Sequence, residues 1–254
     1  MFKQICAVAV VATLVGGARG VGAQQCCGDC NANDEVTIDE IIKAVNRSLD
    51  GCQDDGVCSQ PGCQRFPASG QTTSFGPGSD GDVQAGAMLS YTDYGDGTIT
   101  DTNTGLMWEK KDRSGSIHDW GNQYTWGMTS DPYTMNGTMV TAFLATLNQA
   151  PCFAGHCDWR IPNVKELQSI VNYGGPPFGP AVSAAFDTNC VAGCTVDGNG
   201  GPLCSCTGGG VEHWSATSYD SNPNYAWAVS FFHGALREGA RSATYHVRAV
   251  RGGL

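Results

Sequence analysis

Tyr94-Gly95-Asp96-Gly97-Thr98-Ile99-Thr100-Asp101-Thr102-Asn103-Thr104-Gly105-Leu106-Met107-Trp108 is the stretch that decides how this chain folds. Thr98-Ile99-Thr100 and Leu106-Met107-Trp108 are short strand-like runs, and residues 101–105 between them are turn formers. The pattern predicts a β-hairpin. All six tryptophans of the chain fall between Trp108 and Trp227, so the main core has to be built from the hairpin onward.

Downstream, Val140, Phe143, Leu144 and Leu147 recur at i, i+3, i+4 and i+7, which lays an apolar stripe along one face of a helix. A second helix is expected after Pro162. Asn163 is placed to cap it, Glu166 to reach back to the cap, and Leu167, Ile170 and Val171 to form its buried side. Residues 214–219, 225–232 and 245–251 are aromatic and β-branched runs bounded by Asn, Pro and Gly, and these predict strands. The expectation is an α+β domain over 88–254, two helices on a twisted, largely antiparallel sheet.

Upstream, residues 59–86 are rich in Gly, Ser, Pro and Gln and poor in large apolar side chains, which predicts a flexible linker over 64–87. Residues 24–63 form a small cysteine-rich helical segment, too short to hold itself together without cross-links or a metal. Before it, Lys3, the apolar run 5–15 and the small residues ending at Val21-Gly22-Ala23 have the layout of a signal peptide over 1–23. Its removal takes away Lys3 and Arg19 and no acid, so the net charge of -10 becomes -12. That acidity argues against a nucleic-acid partner, and no later stretch approaches the roughly 20 apolar residues of a membrane span.

Twelve of the 13 cysteines follow Ala23, six in 26–63 and six in 152–206. Even numbers in an exported chain point to disulfides, with about 15 pairings open for each set of six. Cys152 and Cys157 read as a local loop closure. Cys190, Cys194, Cys204 and Cys206 have a spacing that four-thiolate zinc also uses, and export favours disulfides there as well.

Asp29, Asn31, Asn33, Glu35, Thr37 and Glu40 place oxygen donors at positions 1, 3, 5, 7, 9 and 12 of a calcium loop, Glu35 through its carbonyl and Glu40 as the bidentate ligand. Val36 is the apolar residue expected at position 8, and Ile41, Ile42, Val45 and Leu49 supply the face of a following helix. This resembles one half of a dockerin and assigns Ca2+ as a cofactor. Asp34 stands where such loops normally carry glycine, and the bland alternative is an Asx-rich turn capping a helix without metal.

Arg237, Arg241, Arg248 and Arg251 form a basic concentration towards the C-terminal end of an acidic sequence. They are candidates to bind an acidic or sulfated glycan, against the alternative that they pair with neighbouring carboxylates or sit singly on strands. His213, His233 and His246 are candidates to converge, although a histidine beside an aromatic strand is more often structural. No Gly-x-Ser-x-Gly elbow, His-Glu-x-x-His helix or phosphate-cradling glycine loop is present, and no catalytic residue is assigned.

The 94–108 stretch resembles the opening signature of the DUF1566 family, also described as Lcl C-terminal-like. The same family's later motifs are resembled, in order, by Asp158-Trp159-Arg160-Ile161-Pro162-Asn163 leading to Glu166-Leu167, by His213-Trp214-Ser215-Ala216-Thr217-Ser218, and by Val247-Arg248-Ala249-Val250-Arg251-Gly252. The family is similar to the C-terminal domain of bacterial collagen-like adhesins and, more distantly, to C-type-lectin-like and formylglycine-generating-enzyme-like folds. The resemblance implies a binding domain, often on a cell surface; together with the signal-peptide layout the expectation is an exported, non-catalytic binding or adhesion module, extracellular, cell-surface or periplasmic, whose partner is a glycan or a surface protein. The rival readings are an enzyme of formylglycine-generating type and a purely structural envelope component. Trp108, Trp159, Trp214 and Trp227 are expected as core aromatics, and Arg160 as a loop anchor.

Overall fold

The structure is a computed structural model that describes residues 66–252, apart from 129, 132, 176–179, 189, 192–203 and 208–211, together with Ile38. The chain divides into a unit Met1–Gln60 and a unit Pro61–Leu254. The calcium-loop residues Asp29, Asn31, Asn33, Glu35, Thr37 and Glu40 lie outside the described residues, as does the signal-peptide segment.

The predicted hairpin forms. β2 (Thr98–Asp101) pairs antiparallel with β3 (Met107–Glu109), Ile99 opposite Trp108, and both of these side chains are fully buried. The turn is held by Asp101, itself 1% exposed, whose carboxylate accepts from the Asn103 amide at 2.9 Å and from the Thr104 hydroxyl at 2.7 Å. Gly105 closes it at φ 70°, a conformation that side-chain-bearing residues avoid. β1 (Tyr91–Asp93) adds to the free side of β2, and β9 (Val250–Arg251) to β3, giving the order β1-β2-β3-β9. The last residues of the domain therefore lie beside its opening signature.

Two further antiparallel sheets complete the strands among the described residues. β4 (Tyr124–Thr125) pairs with β8 (Thr244–Tyr245), and β5 (Glu212–Ser218), β6 (Tyr225–Ser230) and β7 (Ala235–Ala240) form a meander in that order. At the coarse level this is the α+β content expected, with the strands distributed over three small sheets instead of one. The run 245–251, read as a single strand, is split into β8 and β9, because residues 246–249 turn their backbone groups to other partners. Trp214 N–H donates to the His246 carbonyl at 2.9 Å, and Glu109 N–H to the Ala249 carbonyl at 3.0 Å.

Both predicted helices are present. Val164–Ser169 carries the full capping box: Asn163 accepts from the Lys165 and Glu166 amides, and Glu166 accepts from the Asn163 amide at 2.7 Å. The earlier stretch is wound as a π-helix over Met139–Leu144 and as an α-helix only over Ala145–Leu147. Its fully buried residues Met139, Phe143 and Leu147 fall four apart, while Val140 and Leu144 are half-buried. Thr141 and Thr146 return their hydroxyls to the Gly137 and Ala142 carbonyls, a back-bonding that competes with the ordinary helical ladder.

The apolar residues gather in two clusters. Ile99, Leu106, Trp108, Leu167, Ile170, Phe186, Val229 and Phe231 lie in one; Trp126, Phe143, Trp159, Trp214 and Val247 lie in the other. Trp108, Trp159 and Trp214 are thus core aromatics as expected, whereas Trp227 is half-buried against Tyr219. Residues 66–87, expected as part of a flexible linker, are hydrogen-bonded to each other and to the domain. Ala68 N–H donates to the Ala87 carbonyl at 2.7 Å, and Tyr173 N–H to the Ser69 carbonyl at 2.8 Å.

Candidate functional site

β3 is the element that positions the site. Side chains alternate across a strand, so Trp108 enters the hydrophobic core and its neighbour Glu109 points to the opposite side, where Lys111 joins it two residues later. Glu109 is fully buried and Lys111 is 5% exposed. A buried carboxylate requires partners for both oxygens. Oε1 accepts from Lys111 Nζ at 2.8 Å and contacts His118 Nδ1 at 2.8 Å, while Oε2 accepts from the Ala249 amide at 3.0 Å. Burial pushes the carboxyl of Glu109 up, and the charges and hydrogen bonds of Lys111 and His118 more than reverse this, leaving it below the ordinary carboxylate range. Lys111 is held below the usual lysine range, by burial first, with the attraction of Glu109 opposing. Its ammonium also sits over the Phe143 ring at 4.5 Å.

His118 is brought to Glu109 by a loop of residues 112–122 that its own side chains tie together. The Asp112 carboxylate accepts from the Ser114 amide, and that of Asp119 from the Gly115 and Gly121 amides, both at 2.8 Å. Asn122 donates to the Ser116 carbonyl at 2.7 Å. The loop presents half-buried His118 and Trp120 with exposed Arg113. The Arg113 guanidinium lies 5.1 Å from the Trp120 ring centre, His118 packs at 4.3 Å on Phe153, and Trp120 stacks at 6.5 Å on His246. One loop thus carries a cation beside an indole ring, its guanidinium also donating to the Ser205 carbonyl at 3.2 Å, and a histidine whose ring is oriented by a carboxylate and packed on a phenyl ring. Such a loop can hold a polar or anionic group over a flat apolar one.

Of the histidines singled out in sequence, His213 and His246 do meet, with ring centres 5.4 Å apart, and His233 sits elsewhere against Phe232. His246 contacts the Asn122 carbonyl through Nδ1 at 2.9 Å, and burial holds its pKa below the usual histidine value.

The four arginines are dispersed. Arg248 is wholly buried, donating to the Glu109 carbonyl at 2.8 Å and to the Thr207 hydroxyl at 2.9 Å, with Phe186 beneath it. Arg241, 4% exposed, lies 3.9 Å from the Trp126 ring centre and donates to the Tyr225 carbonyl. Both are buried within the domain, unlike the other two arginines of the set. Arg251 makes a two-pronged pair with Asp158 at 2.8 and 3.2 Å, and Arg237 is left exposed on β7, 3.9 Å from Glu212. Arg160 anchors loops as expected, gripping both oxygens of Glu166 and donating to the Gly252 carbonyl at 2.8 Å.

Cys152 is bonded to Cys157, closing the local loop, and Cys190 to Cys206; Cys204 is disulfide-bonded as well. Three of the four cysteines whose spacing also fits zinc are therefore disulfide-bonded. Among the described residues no group of His, Cys, Asp or Glu stands ready to hold a metal.

The four motifs thus meet in space: β3 of the first pairs with β9 of the last, Asp158 and Arg160 of the second bind Arg251 and Gly252 of the last, and the Ala216 amide of the third donates to the Pro162 carbonyl of the second at 2.8 Å. Residues 97–251 match the family model described as the Lcl C-terminal domain. This chain belongs to that family. No curated protein matches it. The matched span of the Lcl C-terminal domain starts at Gly97, just ahead of β2, and ends at Arg251 in β9, so its two ends belong to the same sheet.

Glu109, Lys111, His118, Trp120 and Arg113 were not singled out from sequence. A signal was there: Glu109 and Lys111 are opposite charges two apart in an extended run, which puts both on one face of a strand whose other face carries Trp108.

Proposed function

We propose that this protein is an exported, non-catalytic binding or adhesion module of the cell surface or extracellular matrix, which recognises a glycan or a surface protein through its Lcl C-terminal domain. The observation that carries the reading is the self-tied loop of Arg113, His118 and Trp120, a cation beside an indole ring and a histidine packed on Phe153 and oriented by a buried carboxylate. Arg237, exposed on β7, belongs to the proposal as an outlying contact. The disulfides agree with an oxidising compartment, and no helix among the described residues is long and apolar enough to cross a membrane. The C-type-lectin-like topology implied by the motifs, and calcium held by Asp29, Asn31, Asn33, Glu35, Thr37 and Glu40, are parts of the same proposal.

The test is an array of neutral, carboxylated and sulfated glycans probed with the mature chain. Binding that falls at least tenfold in Arg113→Ala or Trp120→Ala supports the reading. Binding unaffected by either change moves the site elsewhere, and a blank array removes the glycan as partner.

A further inference from the structure

The disulfides differ in how they are held. Cys206 is 1% exposed and buried beside Asp187, whose carboxylate accepts from the Cys206 amide at 2.9 Å. Cys157 is exposed and Cys152 half-buried. The ring that Cys152 and Cys157 close contains a tight turn in which the His156 amide donates to the Phe153 carbonyl at 3.0 Å. Its two central residues, Ala154 at φ 50° and Gly155 at φ 76°, both lie in the left-handed region. A turn of this hand favours Asn or Gly at both places, and alanine there is strained by the approach of its Cβ to the following carbonyl oxygen. The residue leading into the strained turn is Phe153, which packs on His118 and, 5.0 Å away, on Trp159.

We infer that Cys152–Cys157 is a reducible latch, opened by a dithiol donor while the Cys190–Cys206 bond stays closed. One donor thiolate attacks an exposed sulfur to give a mixed disulfide; the second donor thiol displaces it. Two electrons and two protons pass to Cys152 and Cys157, and the donor leaves as its own disulfide. With the ring open, Ala154 returns to right-handed backbone, the turn hydrogen bond is lost, and Phe153 shifts against His118. Strain present only in the closed form favours the dithiol, so the latch is poised to open. The base of the loop stays anchored, because Asn148 bonds both backbone groups of Trp159, at 2.9 and 2.8 Å, independently of the sulfurs. The device acts on the His118 loop named above but does not depend on what binds there, and it is read without a ligand.

The experiment titrates the mature protein with dithiothreitol, following each cysteine by differential alkylation and mass spectrometry and the same samples by amide hydrogen exchange. Cys152 and Cys157 are expected to label at donor concentrations at least tenfold below Cys190 and Cys206, with faster exchange at Gly155 and His156 and continued protection of β6. Ala154→Gly, which relieves the turn without touching a sulfur, is expected to move the midpoint toward the disulfide by roughly 5- to 30-fold. Opening of both pairs together, unchanged exchange at His156, or an unmoved midpoint in Ala154→Gly would each overturn the latch.

Discussion

Glu109 shows how one side chain is committed. Its carboxylate is buried with three partners, so removing its charge leaves Lys111 as an isolated cation in the interior. Glu109→Gln is therefore expected to destabilise the domain by about 3–5 kcal/mol in urea unfolding, and Glu109→Gln combined with Lys111→Met to recover most of the loss. His246 makes a second prediction at this scale. Its folded pKa lies below the usual value because burial disfavours the imidazolium. The unfolded chain then binds the extra proton first, so stability is intact above about pH 6.5 and falls as pH drops through the interval between the unfolded and folded values. Glu109, whose pKa is lowered, adds a further loss as the pH falls below the ordinary carboxylate range, whereas Asp187, pushed up by burial, acts in the opposite sense. Urea midpoints at pH 8, 6 and 5 check this, and His246→Gln should flatten the upper part of the profile.

Among the elements, the helix Val164–Ser169 is short enough to depend on its cap. Asn163→Ala removes acceptors for two amides and is expected to cost about 1 kcal/mol, read as a lowered melting temperature with the sheet pattern of the circular dichroism retained. β7 is constrained differently. A Cβ at Gly239 would stand 2.4 Å from the Tyr245 ring and 2.6 Å from that of Trp214, two rings already stacked 4.3 Å apart. Gly239→Val should therefore perturb the near-ultraviolet signal of Trp214 and destabilise more than Ala235→Val, on the same strand. The capping box, the hairpin and the strand 225–230 were legible because each is written in neighbouring residues. The winding of Met139–Leu144 was not, since the threonine hydroxyls that reach back to carbonyls suit α and π geometries alike until packing selects which residues are buried.

For the whole molecule, the cysteine count predicts that the mature protein contains no free thiol under denaturing, non-reducing conditions, and several titratable thiols would contradict the disulfide reading. Calorimetry of the mature protein with calcium should give binding heat that Glu40→Ala abolishes; no heat in the parent chain would leave 29–40 as a capped turn.

The sequence by itself determined the family, the hairpin, both helices and the local Cys152–Cys157 closure, because turn chemistry, capping and apolar period act over a few residues. Only the tertiary structure decided the site. Glu109 and Ala249 lie 140 residues apart and Arg248 and Thr207 41 apart, so nothing local marks them as partners. The same holds for the arginines. Whether a cation faces solvent, like Arg237, or is buried under a backbone carbonyl, like Arg248, depends on which strand the closing segment joins, and that follows from the core the distant parts bury together.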